Sequence, residues 1–170
     1  IVPHLAPLLN VSRSVLYQLP HNERHLLTAA LFILVSELPV KDIKPIIIQV
    51  IGPILDDLHN VVSTMNEETA KNKSIVDTIT THLACIAAAA TNLRLIIEGV
   101  HASQDIVSRT RLHKGEEHPY APCFSRTLPV LPQILKLCWH DSTVVLNVLA
   151  VCASALATLS VAHFDVFLPD

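Results

Sequence analysis

The chain has 170 residues, of which 51% are hydrophobic and 16% are charged, and its formal net charge at pH 7 is −3. This charge gives no electrostatic case for direct nucleic-acid binding, which normally requires a basic face. The length suits one ordinary domain, or three to four helix-pair repeats of roughly 40–47 residues each. With only three glycines, this composition favours helices that are buried on more than one side.

The first half of the chain predicts an opening helix followed by a helix pair. The opening helix runs to about residue 18 and stops before Pro20, because proline disfavours helical backbone at the residue before it. Apolar residues at 3–4 spacing then predict a helix that begins at the cap Asn22. The clearest apolar stripe follows at 43–65, and Gly52-Pro53 is expected to kink that helix.

The second half repeats this order after a polar link. Helical spacing resumes at the cap Ser74 and continues to Ile97, with Gly99 as the expected C-terminal cap. Residues 100–118 are polar and mixed in charge, so they are expected to form a loop insertion. A proline-punctuated helical region then leads to a last long helix, for which Asp141 or Ser142 is the expected cap.

These elements together predict an all-α fold without a β-sheet, namely an α-solenoid of antiparallel HEAT-type pairs in an ARM-like superhelix. Because the chain starts with Ile and lacks the charged start of a signal peptide, we expect a segment of a longer protein. Buried core positions should include Ile47, Ile51, Leu83, Ile86, Leu146 and Leu149. The single solenoid segment, 1–170, should contain pairs at about 22–65, 74–139 with the insertion, and 142–170 with a truncated second helix.

One segment also permits a membrane-spanning interpretation. Residues 142–164 carry no formal charge, and about 20 apolar residues suffice to cross a bilayer. Four polar residues of this segment, however, fall on one helical stripe, namely Thr143, Asn147, Ser154 and Thr158. The other helices carry charged faces, so a buried solenoid helix is the favoured interpretation and no membrane insertion is expected.

The four cysteines indicate a reducing compartment. They have no CxxC spacing, and three of them fall within helical apolar patterns. Buried free thiols are therefore predicted at Cys85, Cys123, Cys138 and Cys152. Cytoplasm or nucleus follows as the expected location.

No motif predicts an enzyme, a cofactor or a metal site. None of the ten histidines belongs to an HExxH motif or to a Cys/His cluster with zinc spacing. His21 and His25 are four residues apart, but His21 precedes the predicted cap of its helix. No GxSxG elbow is present, and three isolated glycines cannot form a phosphate-binding loop.

Two charged features are candidates for a protein-interaction surface. The polar face of the helix at 43–65 carries carboxylates and side-chain amides. These groups fit either a solvated face or a surface for basic partners. The insertion carries basic residues, which fit either a solvated loop or a docking element. The candidate residues are Gln49, Asp56, Asp57 and Asn60 on the helix, and Arg109, Arg111 and Lys114 in the insertion.

Short motifs also occur along the chain in a characteristic order. In the first half they are Val2-Pro3-His4, Leu8-Leu9, Ser12-Arg13-Ser14 and Leu38-Pro39-Val40-Lys41-Asp42-Ile43. In the second half they are His118-Pro119, Leu128-Pro129-Val130-Leu131 and a Cys-containing helix from Asp141 to Leu159. This order resembles the middle repeats of nuclear transport receptors of the importin-β (karyopherin-β) superfamily, and it is most similar to the transportin-SR and importin-thirteen branch.

The resemblance implies the central segment of a HEAT-repeat receptor that carries protein cargo through nuclear pores under control of the GTPase Ran. It implies residence in nucleus and cytoplasm, and contacts with Ran and nucleoporins through the full-length receptor. A HEAT-repeat scaffold subunit of another protein assembly is the alternative. In the transportin-SR branch a Trp often precedes Pro-Val-Leu, where this chain has Leu128, and the arginine-rich cargo helix has no match here. No binding residue is therefore carried over from the family.

Overall fold

The computed structural model describes residues 2–93, 96–97, 111–112 and 117–158, and the regular structure within them is helical apart from one two-residue ladder. The α-helices are α1 (Val2–Leu16), α2 (His21–Val35), α3 (Val40–Thr64), α4 (Lys73–Asn92), α5 (Ala121–Thr127), α6 (Leu131–Cys138) and α7 (Ser142–Thr158). Short 3-10 turns precede α4 and α6, at Thr69–Lys71 and Leu128–Val130. The extended pairing in this part of the chain is a two-residue parallel ladder between Ile96–Ile97 and Arg111–Leu112, too short to form a sheet layer.

Helix starts follow local capping chemistry, although two of them differ by one or two residues from the prediction. Pro20 is the N-cap of α2, so the helix begins at His21 rather than after Asn22. Asn72 rather than Ser74 caps α4, because its side-chain oxygen accepts a hydrogen bond from the Ser74 amide at 2.9 Å. The predicted cap Asp141 is confirmed, since its carboxylate accepts from the amides of the first turn of α7.

The end of α4 differs most from the prediction. The helix ends at Asn92, with Leu93 out of helical geometry at φ −79° and ψ 84°, rather than continuing to Ile97. Two neighbouring β-branched residues, Ile96 and Ile97, favour extended backbone over helix, and they form the short ladder. The expected cap Gly99 lies outside the described residues. The helix α3, in contrast, continues as one element of 25 residues through Pro53.

Helices α2, α4 and α7 stack side by side as a first layer. The most extensive helix contacts in the described chain join α2 to α4 and α4 to α7. His21, at the start of α2, contacts Thr81 in α4, and Thr91, at the end of α4, bonds Ser154 in the second half of α7 at 2.9 Å. One pocket is lined by the start of α2, by α4 from Asp77 to Ala84 and by Asn147 in the first half of α7. This arrangement also indicates that the three helices run parallel.

A second layer contains α3 and the consecutive helices α5 and α6. Because α3 connects the end of α2 to the start of its parallel neighbour α4, it runs in the opposite direction to both. Its packing neighbours are α4 and α5, while α6 packs on α7. The chain thus alternates between two layers, and α1 packs on α2. The all-α class is therefore as predicted for the part of the chain that the structure describes.

Tyr120 lies at the centre of the core between the layers. It is fully buried, and its hydroxyl donates a 2.9 Å hydrogen bond to the Ile86 carbonyl of α4. Its ring packs edge-on against Phe32 of α2 and Phe124 of α5, with ring centroids 6.3 and 5.0 Å away. One aromatic residue thereby links three helices of both layers.

The predicted core is confirmed in α3 and α4 and is wrong in α7. Buried as expected are Ile47, Ile51, Leu83 and Ile86. Leu146 and Leu149 are instead 65% and 57% exposed. The buried face of α7 consists of Val144, Val148, Val151, Ser154 and Ala155. Apolar residues occur on every side of α7, so the periodicity of the sequence did not distinguish its buried face from its exposed face.

The cysteines are free thiols, as predicted. Cys85, Cys123 and Cys138 are buried and Cys152 is half-buried. Burial raises the pKa of each thiol, and that of Cys123 reaches about 12.

Two helices, α3 and α4, have the length and hydropathy that a membrane span requires. The most apolar 18-residue windows of α3 and α4 are 44% and 50% buried within the structure. Core helices of soluble proteins meet the same criterion, so this is weak evidence for a span. Of residues 142–164, for which the sequence permits a span, the structure describes 142–158 as α7, a helix of 17 residues.

Candidate interaction surfaces

The predicted polar face of α3 is exposed but is partly occupied by contacts within the protein. Gln49, Asp56, Asp57 and Asn60 are all exposed. The Asp56 carboxylate accepts a 2.5 Å hydrogen bond from the Arg126 guanidinium of α5, and both side chains are about half exposed. The Asp56 carboxylate is thus already paired with the Arg126 cation, and this pairing reduces its attraction for a basic partner.

Two further polar contacts join α3 to its neighbours in the second layer. His59 Nε2 lies 2.9 Å from the Arg126 carbonyl, and the Gln133 amide of α6 donates to the Val62 carbonyl at 3.0 Å. Part of the polarity read from the α3 sequence therefore joins helices to one another. Whether the remaining groups bind a partner stays a prediction.

Asp57 faces a buried histidine. Its carboxylate oxygen lies 3.9 Å from Nε2 of His82 in α4, and His82 is only 6% exposed. Burial lowers the pKa of His82 below 6.5, and the opposing attraction of Asp57 and of the Thr78 carbonyl does not compensate. Within the described residues, the Nδ1 atom of His82 is buried without a hydrogen-bond partner of good geometry. Burial accordingly favours the neutral form of the imidazole.

The basic candidates of the insertion fall largely outside the described residues. Arg109 and Lys114 are not among them, and Arg111 is described only through its backbone, which pairs with Ile96.

A polar cleft in the first layer was missed by the sequence analysis. It has a volume of about 210 Å³ and lies across the first halves of α2 and α7 and the first half and middle of α4, which run parallel. We call it the acceptor cleft. Its lining residues are His21, Asn22, His25, Asp77, Thr80, Thr81, Ala84 and Asn147. They come from three helices that are far apart in sequence, so spacing along the chain could not reveal it.

The position of His21 corrects one sequence inference. Because α2 begins at His21, this residue and His25 lie one turn apart on the same helix and line the same cleft. Across the part of the chain that the structure describes, however, no group of three or more His, Cys, Asp or Glu side chains is placed to hold a metal ion.

Large apolar side chains are exposed at both edges of the first layer. On α7 the exposed stripe contains Leu146, Leu149 and Leu156, and on α2 it contains Leu26 and Ile33. Trp139, in the link before α7, is 73% exposed. Apolar faces of this kind commonly mark contacts with other protein surfaces.

Compared with protein-family models and with curated proteins, the chain matches none.

Proposed function

We propose that this chain is part of a HEAT-type α-solenoid that works as a protein-binding surface and not as an enzyme. The observation that supports this most is the parallel stack of α2, α4 and α7, with α3 and α5–α6 returning in a second layer. Helical-repeat solenoids are built from such alternation, because each pair buries its apolar face on its neighbours.

The exposed apolar stripes also support a repeat architecture. Repeats at the end of a solenoid need a polar outer face for solubility, whereas α7 presents leucines at 146, 149 and 156. A stripe at 3–4 spacing on this helix fits further helices packing on α7 much as α7 packs on α4. Leu26 and Ile33 provide a similar stripe at the opposite edge.

Within that class we propose the central segment of an importin-β superfamily transport receptor. The support is the motif order described above, from Val2-Pro3-His4 to the helix that starts at Asp141. The partners would be protein cargo, with Ran and nucleoporins bound through the full-length receptor, and the location would be nucleus and cytoplasm. A HEAT scaffold subunit of another assembly has the same architecture and is the alternative.

A pull-down on the full-length protein separates the two proposals. Ran loaded with GTP and Ran loaded with GDP are each offered to the immobilised protein. A receptor should retain the GTP form preferentially. Equal or absent retention of the two forms would exclude the receptor and leave the scaffold.

A further inference from the structure

We propose that the acceptor cleft of the first layer binds an arginine side chain of a partner polypeptide. The inference rests on which atoms of the cleft still lack a partner. It does not depend on a transport role, because it concerns a surface of α2, α4 and α7 and no contact with Ran.

The hydrogen bonds of His21 and Thr81 fix the first acceptor. The Thr81 hydroxyl donates to the Asp77 backbone carbonyl at 2.7 Å, because a carbonyl can only accept. His21 Nδ1 lies 3.0 Å from the same hydroxyl oxygen and must therefore be the donor. In the neutral imidazole this leaves Nε2 as an unprotonated acceptor.

Asn147 supplies the second acceptor by the same reasoning. Its side-chain nitrogen donates to the Thr143 carbonyl at 2.9 Å. The amide nitrogen is thus held against its own helix, and the carbonyl oxygen Oδ1 is left for a ligand. The orientation of the amide is fixed because the opposite orientation would place two oxygens in contact.

Asp77 and Thr80 complete the set. The Asp77 carboxylate forms neither an ion pair nor a side-chain hydrogen bond within the described residues. The Thr80 hydroxyl oxygen is buried and has no hydrogen-bond partner there. A buried polar atom without a partner destabilises the fold, so a ligand that donates to it is favoured.

The cleft therefore combines one carboxylate with three neutral acceptors. A planar guanidinium carries five N–H donors and a positive charge, and it is the side chain that fits a convergent set of acceptors best. A lysine ammonium has three donors at a single point and matches fewer of them. An anion is disfavoured by Asp77.

Neighbouring positive charges are compatible with this ligand. Arg24, on the same turn of α2 as His25, donates to the Leu19 and Tyr17 carbonyls at 3.0 and 3.1 Å, so its guanidinium is held at the link between α1 and α2. Among the described residues, the lining of the cleft does not include Arg24. The start of α2 carries at most about half an elementary charge, and Glu23 in its first turn offsets it. The imidazoles of His21 and His25 would oppose a cation only when protonated, so the test is performed at pH 8.

The test is an NMR titration of the 170-residue chain with three acetylated, amidated tripeptides, Gly-Arg-Gly, Gly-Lys-Gly and Gly-citrulline-Gly. We expect saturable shifts for the arginine peptide at residues 77, 80, 81 and 147, with a Kd of about 1–10 mM, as befits a single side chain. The lysine peptide should bind severalfold more weakly, and the uncharged citrulline peptide should bind at least about tenfold more weakly. Equal shifts with arginine and citrulline, stronger binding of lysine, or shifts confined to other residues would each overturn the proposal.

Two variants make the result specific to the cleft. Asp77→Asn should weaken the arginine peptide about tenfold, whereas Glu67→Gln, which removes an exposed carboxylate elsewhere, should leave it unchanged. Thr80→Val preserves the side-chain shape, so it should weaken binding severalfold while raising the thermal midpoint, because it removes an unpartnered buried hydroxyl. Unaltered arginine binding in both Asp77→Asn and Thr80→Val would overturn the proposal, whatever their stability.

Discussion

Tyr120 allows its hydrogen bond to be separated from its packing. In Tyr120→Phe the ring contacts with Phe32 and Phe124 remain, and only the hydroxyl that donates to the Ile86 carbonyl is lost. Ile86 lies inside α4, so its carbonyl also has the helix's own hydrogen bond available. We therefore expect a loss of about 1 kcal/mol, the usual net value of one hydrogen bond.

Tyr120→Ala removes the whole ring from a fully buried position and should cost about 3–5 kcal/mol. Urea unfolding followed by circular dichroism at 222 nm measures both variants, with the midpoint shifting at constant slope. Tyr17→Phe is the matched control, because this tyrosine is 44% exposed, and it should change stability by less than about 0.5 kcal/mol. Equal losses for Tyr120→Phe and Tyr120→Ala would refute the assignment of Tyr120 as the packing centre of the two layers.

Three further predictions follow from burial and charge. Leu83→Ala should cost about 2–5 kcal/mol in urea unfolding, because the side chain is fully buried, whereas Leu146→Ala should cost less than about 0.5 kcal/mol; a reversed order would show that the helix faces are wrong. Because the pKa of His82 is lowered in the folded protein, the unfolded chain binds a proton at higher pH than the folded one, so stability should fall as pH decreases below 6.5. His82→Gln should make that loss of stability smaller. An unchanged dependence of stability on pH in this variant would exclude His82 as the cause of the loss. Reversing Asp56 and Asp57 to Lys in the full-length protein should slow association with a basic cargo and weaken the salt dependence of the association rate, as measured by stopped flow at low salt. Because Asp56 is paired with Arg126, the free energy of unfolding should also fall by up to about 1 kcal/mol. Unchanged association rates would show that this face only contacts solvent and neighbouring helices.

The helices were predictable because most of their signals are local. Prolines at 20 and 39 mark the starts of α2 and α3. The regular apolar stripe in the sequence of α3 also coincides closely with the face that is buried in the structure. Where the local signal was weak, the prediction was wrong. In α7 nearly every position is apolar, and only contact with α4 determines that Val148 and Val151 are buried while Leu149 is exposed.

The acceptor cleft could not have been predicted, because it depends on three helices being parallel neighbours. Residues 25, 77 and 147 show no mutual spacing that a sequence pattern could detect. For the acidic face of α3, the sequence indicated exposure but could not indicate the partner. The partner of Asp56 is Arg126, 70 residues further along the chain.

The buried thiols have a practical consequence for following motion in this protein. Only the thiolate reacts with alkylating reagents, so a buried cysteine with a raised pKa is modified mainly when its surroundings open. Cys85 lies in α4, Cys123 in α5 and Cys138 in α6, so their alkylation rates report opening of each helix without any introduced label. Half-buried Cys152 in α7 should be alkylated fastest and serves as the reference. The alkylation rate of each other cysteine, divided by that of Cys152, would show how opening is distributed between the two layers.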